Sequence, residues 1–193
     1  PEAAAASLTA ELFADNQEDQ IAYRNGERLA PRLRRSSLKT DSTASTFTGL
    51  RGDGSYLLAG GLGGLGLRLA RWAAEQHPGH LILLGRTGIG ENAGAFAVER
   101  LQAIQEIRDL GVKVTVVEGD VASDADMNAL FQRFGREFPP LRGVFHTATT
   151  VSAATLTDLA DEQIESMLRP KVAGTWVLHE LTKMQPLDFF LVF

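Results

Sequence analysis

The chain has 193 residues, 44% of them hydrophobic and 22% charged, with 19 Lys and Arg against 24 Asp and Glu and a net charge of -5. That is enough apolar material for one sizeable core, and the acidic balance excludes a general nucleic-acid or anionic-membrane surface. There is no cysteine, so disulfides, thiolate nucleophiles and Cys-based metal sites are excluded; the four histidines lack metal-ligand spacing, and no apolar run approaches a membrane span. A cytoplasmic protein with neither nucleic acid nor membrane as partner is expected, and because Pro1 is not a natural start the sequence reads as a piece of something longer.

Residues 2–14 are Ala-rich and read as the tail of a helix. Segments 20–24 and 27–30 flank Asn25-Gly26, the dipeptide suited to a type I′ turn because both of its central residues need positive φ; this predicts a short β-hairpin. A lone hairpin is marginal in water, so it is expected to dock on the edge of a larger sheet. Ser, Thr, Gly and Asp then dominate residues 36–54 with little periodicity, which reads as an exposed linker.

From residue 55 the chain changes character. Tyr56, Leu57, Leu58 and Ala59 lead straight into glycines, and Leu65, Leu69 and Trp72 follow at helical spacing, so the order is strand, phosphate loop, helix. Gly61, Gly63 and Gly66 have the G-x-G-x-x-G spacing: the first permits a tight turn, the second lets the backbone approach a pyrophosphate, and the third lets helix and strand pack closely. Free amides at the start of that helix would face the anion. Leu65, Leu69, Trp72 and Ala73 form the predicted sheet-facing side of the helix, with Arg68, Arg71 and Glu75 opposite. A second strand over 81–84 ends at Gly85-Arg86, where an NAD site usually places an acid and an NADP site an arginine for the 2′-phosphate. The cofactor expected is therefore NADP(H), with a solvated loop arginine as the alternative.

A polar loop over 87–92 is followed by a predicted helix through Val98, Leu101, Ile104, Ile107 and Leu110, closed by Gly111, and a third strand over 112–117. Alternating strands and helices predict an α/β fold with a Rossmann-like, doubly wound parallel sheet. Asp120 and Val121 stand at the carboxyl end of the third strand, where ligands of such sheets bind. Asp120 suits an adenine amino group, or equally a turn satisfying its own backbone. Ser123 caps a helix over 125–134, and a fourth strand over 141–146 ends in His146-Thr147-Ala148-Thr149, small residues that admit a nicotinamide ribose or simply make a loop. Asp161 and Glu162 begin a helix that Pro170 is expected to break, leaving Lys171 in the first turn of a fresh helix whose apolar face is Val177, Leu178, Leu181 and Met184. The dipole disfavours a cation there, which points to a specific task for Lys171, with a solvated lysine as the alternative. Residues 187–193 are predicted to be a fifth, buried strand in which the chain stops.

With these pieces in order, the sequence resembles the ketoreductase domain of modular type I polyketide synthases, in the short-chain dehydrogenase/reductase superfamily. The likeness is carried by Gly60 to Gly66, by Leu84-Gly-Arg86, Gly119-Asp-Val121, His146-Thr-Ala148, Leu168-Arg-Pro-Lys-Val172 and Leu178-His-Glu-Leu181, and it covers essentially the whole chain. It implies residues 1–35 as the end of a structural subdomain, 36–54 as a linker too short to hold an enoylreductase, and 55–193 as a truncated NADP-binding catalytic subdomain. It further implies NADPH-dependent reduction of a β-ketoacyl group, carried on the phosphopantetheine arm of an acyl carrier protein, beside other synthase domains. NADPH would be held by Gly60, Gly61, Gly63, Gly64, Leu65, Gly66, Arg86, Asp120, Val121, Thr147 and Ala148. Lys171 would be the catalytic lysine, holding the nicotinamide ribose and lowering the pKa of a proton-donating Tyr that, like the family's Ser, follows Phe193; the chain by itself is then expected to be inactive. Ala59 and Thr149 depart from the Thr and Gly usual at those positions, and Val151-Ser152-Ala153 stands where one stereochemical class has Leu-Asp-Asp, so that class is disfavoured. The alternatives are a non-catalytic pseudo-ketoreductase of a synthase, which the two departures favour, and a free-standing short-chain reductase, which the leading hairpin disfavours.

Overall fold

A computed structural model describes residues 2–14, 18–32, 49–89, 96–151, 154–155 and 157–193. Most of the expected linker (36–48), the end of the polar loop (90–92), and Ser152 and Ala153 lie outside the described residues. The chain forms two compact units, Pro1–Thr46 and Phe47–Phe193.

In the first unit, helix α1 (Glu2–Leu12) precedes strands β1 (Ala22–Arg24) and β2 (Glu27–Leu29), which pair antiparallel with Tyr23 opposite Arg28. Asn25 and Gly26 have φ of 53° and 83°, the left-handed conformations that the turn requires. Among the described residues the hairpin is hydrogen-bonded as a two-stranded sheet of its own. Its anchor is Glu11 of α1, which accepts hydrogen bonds from Tyr23 Oη at 2.9 Å and from Arg28 Nε and Nη2 at 2.7 and 2.6 Å.

The second unit holds strands β3 (Ser55–Ala59), β4 (His80–Gly85), β5 (Lys113–Glu118), β6 (Leu141–His146) and β7 (Phe189–Val192) and helices α2 (Gly64–Ala74), α3 (Ala97–Asp109), α4 (Asp124–Phe131) and α5 (Asp161–Thr182). The strands make one parallel sheet in the order β5-β4-β3-β6-β7. The alternation of β3 splits the core in two: Tyr56 and Leu58 pack with Ala70, Ala73, Ile104 and Ile107 of α2 and α3, while Leu57 and Ala59 pack with Met127, Leu130, Val177 and Leu178 of α4 and α5. Because the chain leaves β3 toward β4 and β5 and returns on the other side to β6, the strand order reverses between β3 and β6. That switch point is where open α/β sheets bind ligands, beyond the carboxyl ends of the strands.

Four expectations need correction. On α2 the sheet-facing residues are Gly66, Ala70, Ala73 and Ala74, whereas Leu65 is 50% exposed and Trp72 reaches the core only by setting its ring edge-on to Phe145, 6.1 Å away. Small residues take the fully buried positions because the third glycine draws the helix close to the sheet, and Leu67 and Leu69 pack partly buried against the same core. On α3 only Ile104 and Ile107 are buried, because it covers the outer part of the sheet. Pro170 does not break α5, which runs through it and buries Gly174, Val177, Leu178 and Thr182, while Met184 is exposed. An interior proline costs about 3 kcal/mol, a sum that the burial of Val177 and Leu178 alone offsets. Lys171 therefore stands mid-helix, and the first-turn dipole argument does not apply to it. Finally β7, expected to be buried, stands outermost among the described strands, with Phe189 and Phe190 half-buried and Leu191 and Val192 exposed.

Candidate functional site

The site grows from the turn after β3. Gly60 takes φ +82°, and a Cβ on it would stand 2.5 Å from the Ala148 amide nitrogen; one on Gly61 would meet the Leu58 carbonyl at 2.8 Å. Gly66 crosses so close beneath this turn that its Cβ would overlap the Gly60 carbonyl and lie 2.7 Å from Gly61 Cα. Only glycines can be accommodated, and the turn is pinned by Gly60 and Gly61 N–H groups donating to the Leu84 carbonyl at 2.9 and 3.1 Å. The first helical bond of α2 is Leu67 N–H to Gly63 O at 2.9 Å, so the amides of Gly64, Leu65 and Gly66 are not used by the helix and form a positive end suited to an anion.

Around this turn lies a cavity of about 570 Å³ built from the carboxyl ends of four adjacent strands: Gly60, Leu62 and Gly63 after β3, Leu84 to Thr87 at the end of β4, Gly119 to Val121 after β5, and Thr147 to Thr150 after β6. Arg100 of α3 and Ser166, Arg169 and Pro170 of α5 complete its lining. Of the sequence-predicted residues, Gly60, Gly63, Arg86, Asp120, Val121, Thr147 and Ala148 line this cavity. Gly61, Gly64, Leu65 and Gly66 shape or flank the turn without lining it, and Lys171 stands apart, its Nζ donating to the Phe193 carbonyl at the end of β7.

The side chains around the cavity interlock. Arg86 Nη2 donates to Thr150 Oγ1 at 3.3 Å. Asp120 Oδ1 accepts from Ala122 N–H at 2.9 Å, the turn its sequence position allows, and its Oδ2 pairs with the Arg169 guanidinium, which also donates to the Ala122 carbonyl at 3.3 Å. Desolvation pushes the Asp120 carboxyl upward, but the Ala122 amide, Arg169 and Arg86 together hold it below the ordinary value. Thr147 is buried, with both N–H and hydroxyl donating to the Ala59 carbonyl at 2.8 and 3.0 Å.

His146 is fully buried and its Nε2 lies 2.9 Å from the Pro170 carbonyl. A carbonyl only accepts, so Nε2 carries the proton and Nδ1, which has no partner among the described residues, is the bare acceptor. Burial, aided by the nearby Lys171 charge and opposed by the Pro170 carbonyl, lowers this imidazole below the ordinary histidine value and keeps it neutral. Sequence reasoning missed Arg100, Arg169 and Pro170 as cavity residues. Arg169 sits inside a quoted motif, but its partner is 49 positions away, and no local pattern shows that.

The KR domain model matches residues 54–193. The chain belongs to the KR domain family of polyketide synthases, within the short-chain dehydrogenase/reductase superfamily. Among the relatives of this KR chain, a PKS-NRPS hybrid synthetase of Aspergillus candidus is 37% identical over 97% of the chain, and a mycocerosic acid synthase-like polyketide synthase of Mycobacterium tuberculosis is 41% identical over 74%. The matched regions are only 7% and 6% of those proteins. A solved structure of A-type ketoreductases from a modular polyketide synthase superposes with TM-score 0.72 at 34% identity, over 98% of this chain and 38% of that one. A ketoreductase domain from the bacillaene assembly line does so with TM-score 0.76 at 25% identity, over 98% and 42%. No helix among the described residues is long and apolar enough to cross a membrane.

Proposed function

We propose that this KR domain binds NADPH in the cavity at the sheet's switch point and, in the intact synthase, reduces a β-ketoacyl group on the phosphopantetheine arm of an acyl carrier protein to the β-hydroxyacyl. The observation that carries this reading is the glycine turn that Gly61 and Gly66 shape, whose Gly60 and Gly63 line the same cavity as Arg86. The residues present fit the dinucleotide. The unused amides of Gly64, Leu65 and Gly66 supply donors for a pyrophosphate, Arg86 and Arg100 the positive charge for a 2′-phosphate, and Asp120 an acceptor for an adenine amino group. When bound, the nicotinamide supplies a hydride to the β-carbon, and a proton added to the oxygen completes the hydroxyl.

The chain's own residues orient and bind. Thr147 and Ala148 close the floor beside Gly60, and Lys171 holds the nicotinamide ribose by analogy with the family. Other synthase domains are the surroundings in which it works, as in the multidomain relatives.

The test is a pair of titrations of the full-length protein with NADPH and NADH, followed by turnover of a β-ketoacyl thioester. Arg86→Ala weakens NADPH about a hundredfold, the worth of a charge-assisted bidentate contact, and leaves NADH within about threefold. Equal loss of both nucleotides, or no nucleotide binding at all, overturns the reading.

A further inference from the structure

We infer that His146 and Arg169 are positioning residues that clamp the proline turn of α5 onto the ends of β5 and β6, and thereby set where Lys171 stands. The inference rests on the ketoreductase reading above, because it assigns them a task in presenting that lysine. Pro170 has no N–H, so the Ser166 carbonyl one turn earlier loses its helical donor while the ring crowds it, and α5 is weakest at this turn.

Three contacts grip the helix here. His146 Nε2–H donates to the Pro170 carbonyl at 2.9 Å, the Arg169 guanidinium reaches the Asp120 carboxylate and the Ala122 carbonyl, and Gly174 lies so close to the strand end that a Cβ on it would stand 2.8 Å from Val121 Cγ1. His146 is itself fixed by the sheet, in register with Ala59 of β3 and Val192 of β7, so its donor cannot follow a helix that slips. Lys171 is the next residue after the clamped pair, so the clamp fixes the side of α5 from which it leaves. Since each residue turns a helix by about 100°, a slip of one position would carry the lysine off that side.

The experiment compares the full-length protein with His146→Leu, His146→Asn and His146→Gln. Leu removes the donor and Asn is too short to place one where Nε2 stands, whereas the Gln amide reaches it. The readouts are the dissociation constants of NADPH and of adenosine 2′,5′-bisphosphate, which probes only the adenosine half, and turnover of a β-ketoacyl thioester. Leu and Asn are expected to weaken NADPH about tenfold and lower kcat in step, Gln to restore both, and adenosine 2′,5′-bisphosphate to stay within about twofold throughout. Should His146→Leu not fold, the Asn and Gln variants carry the comparison by themselves, because they differ only in where the amide donor stands. The clamp is overturned if the Leu variant binds and turns over NADPH like the unsubstituted protein, if Gln fails to rescue, or if both ligands weaken equally. An unsubstituted protein that binds no NADPH overturns the ketoreductase reading itself, and the clamp with it.

Discussion

Gly66 and Gly64 are two residues apart at the start of the same helix, and the structure asks opposite things of them. A methyl on Gly66 would sit 2.7 Å from Gly61 Cα and inside the Gly60 carbonyl, against backbone that cannot move without opening the turn, whereas one on Gly64 meets nothing within 4 Å. Gly66→Ala is therefore expected to lower the unfolding free energy by about 3 kcal/mol, as overpacking does, and Gly64→Ala to raise it by about 0.5–1 kcal/mol by removing unfolded-state freedom in a helical position. Urea denaturation of the two variants side by side checks both signs; a stable Gly66→Ala protein contradicts the close approach of α2 to the turn. The spacing of these glycines is legible in the sequence, but which of them bear the steric constraint is not, because that depends on what the helix crosses.

At the scale of elements, α5 is where sequence reasoning and the fold diverge most. The rule that proline ends a helix weighs one lost donor and one clash, while this helix gains the burial of Gly174, Val177, Leu178 and Thr182 against α4 and the sheet. Gly174 permits that approach. Gly174→Ala is expected to cost about 1–2 kcal/mol because its methyl would press on Val121, a branched side chain with little freedom to yield. In Val121→Ala the same substitution should cost less than half as much, so a double-mutant cycle by thermal unfolding returns a coupling of about 1 kcal/mol. Additive costs would mean that α5 does not ride on the β5 end at this point. Similar reasoning explains α2 and α3, where large apolar residues at helical spacing proved half-exposed: periodicity locates a stripe, and the distance to the sheet decides whether large or small side chains fill it.

For the molecule as a whole, the two core layers enclose histidines that must stay neutral. His80 begins β4 fully buried, with Nε2 2.9 Å from Thr115 Oγ1 and its ring edge-on to Phe138 at 5.0 Å. Burial, reinforced by the Lys113 and Arg133 charges, lowers its pKa from 6.5 to about 4. A depressed histidine pKa means that the unfolded chain binds the proton more readily, so this contribution is complete above the unfolded value of 6.5 and is lost as pH falls from there through about 4. His146 is shifted in the same direction and adds to the same acid limb. His80→Gln, whose amide can still hydrogen-bond Thr115 Oγ1 and cannot titrate, is expected to flatten the fall in melting temperature between pH 6.5 and 4.5. On the order of 2 kcal/mol of pH-dependent stability should disappear with it. An unchanged slope would show that His80 is not the group being titrated.

What the sequence determined by itself is whatever neighbours within a few positions can encode. The apolar run into glycines specifies strand, turn and helix, Asn25-Gly26 specifies the hairpin, and the alternation of strand and helix patterns specifies a parallel sheet covered on both faces. Those relations are short-range, set by φ preferences and by periods of two and 3.6 residues. The tertiary structure alone decided that Arg169 meets Asp120, that His146 holds Pro170, and that α5 continues through its proline. Each of these depends on which distant segment lies alongside, and on burial large enough to outweigh a local preference.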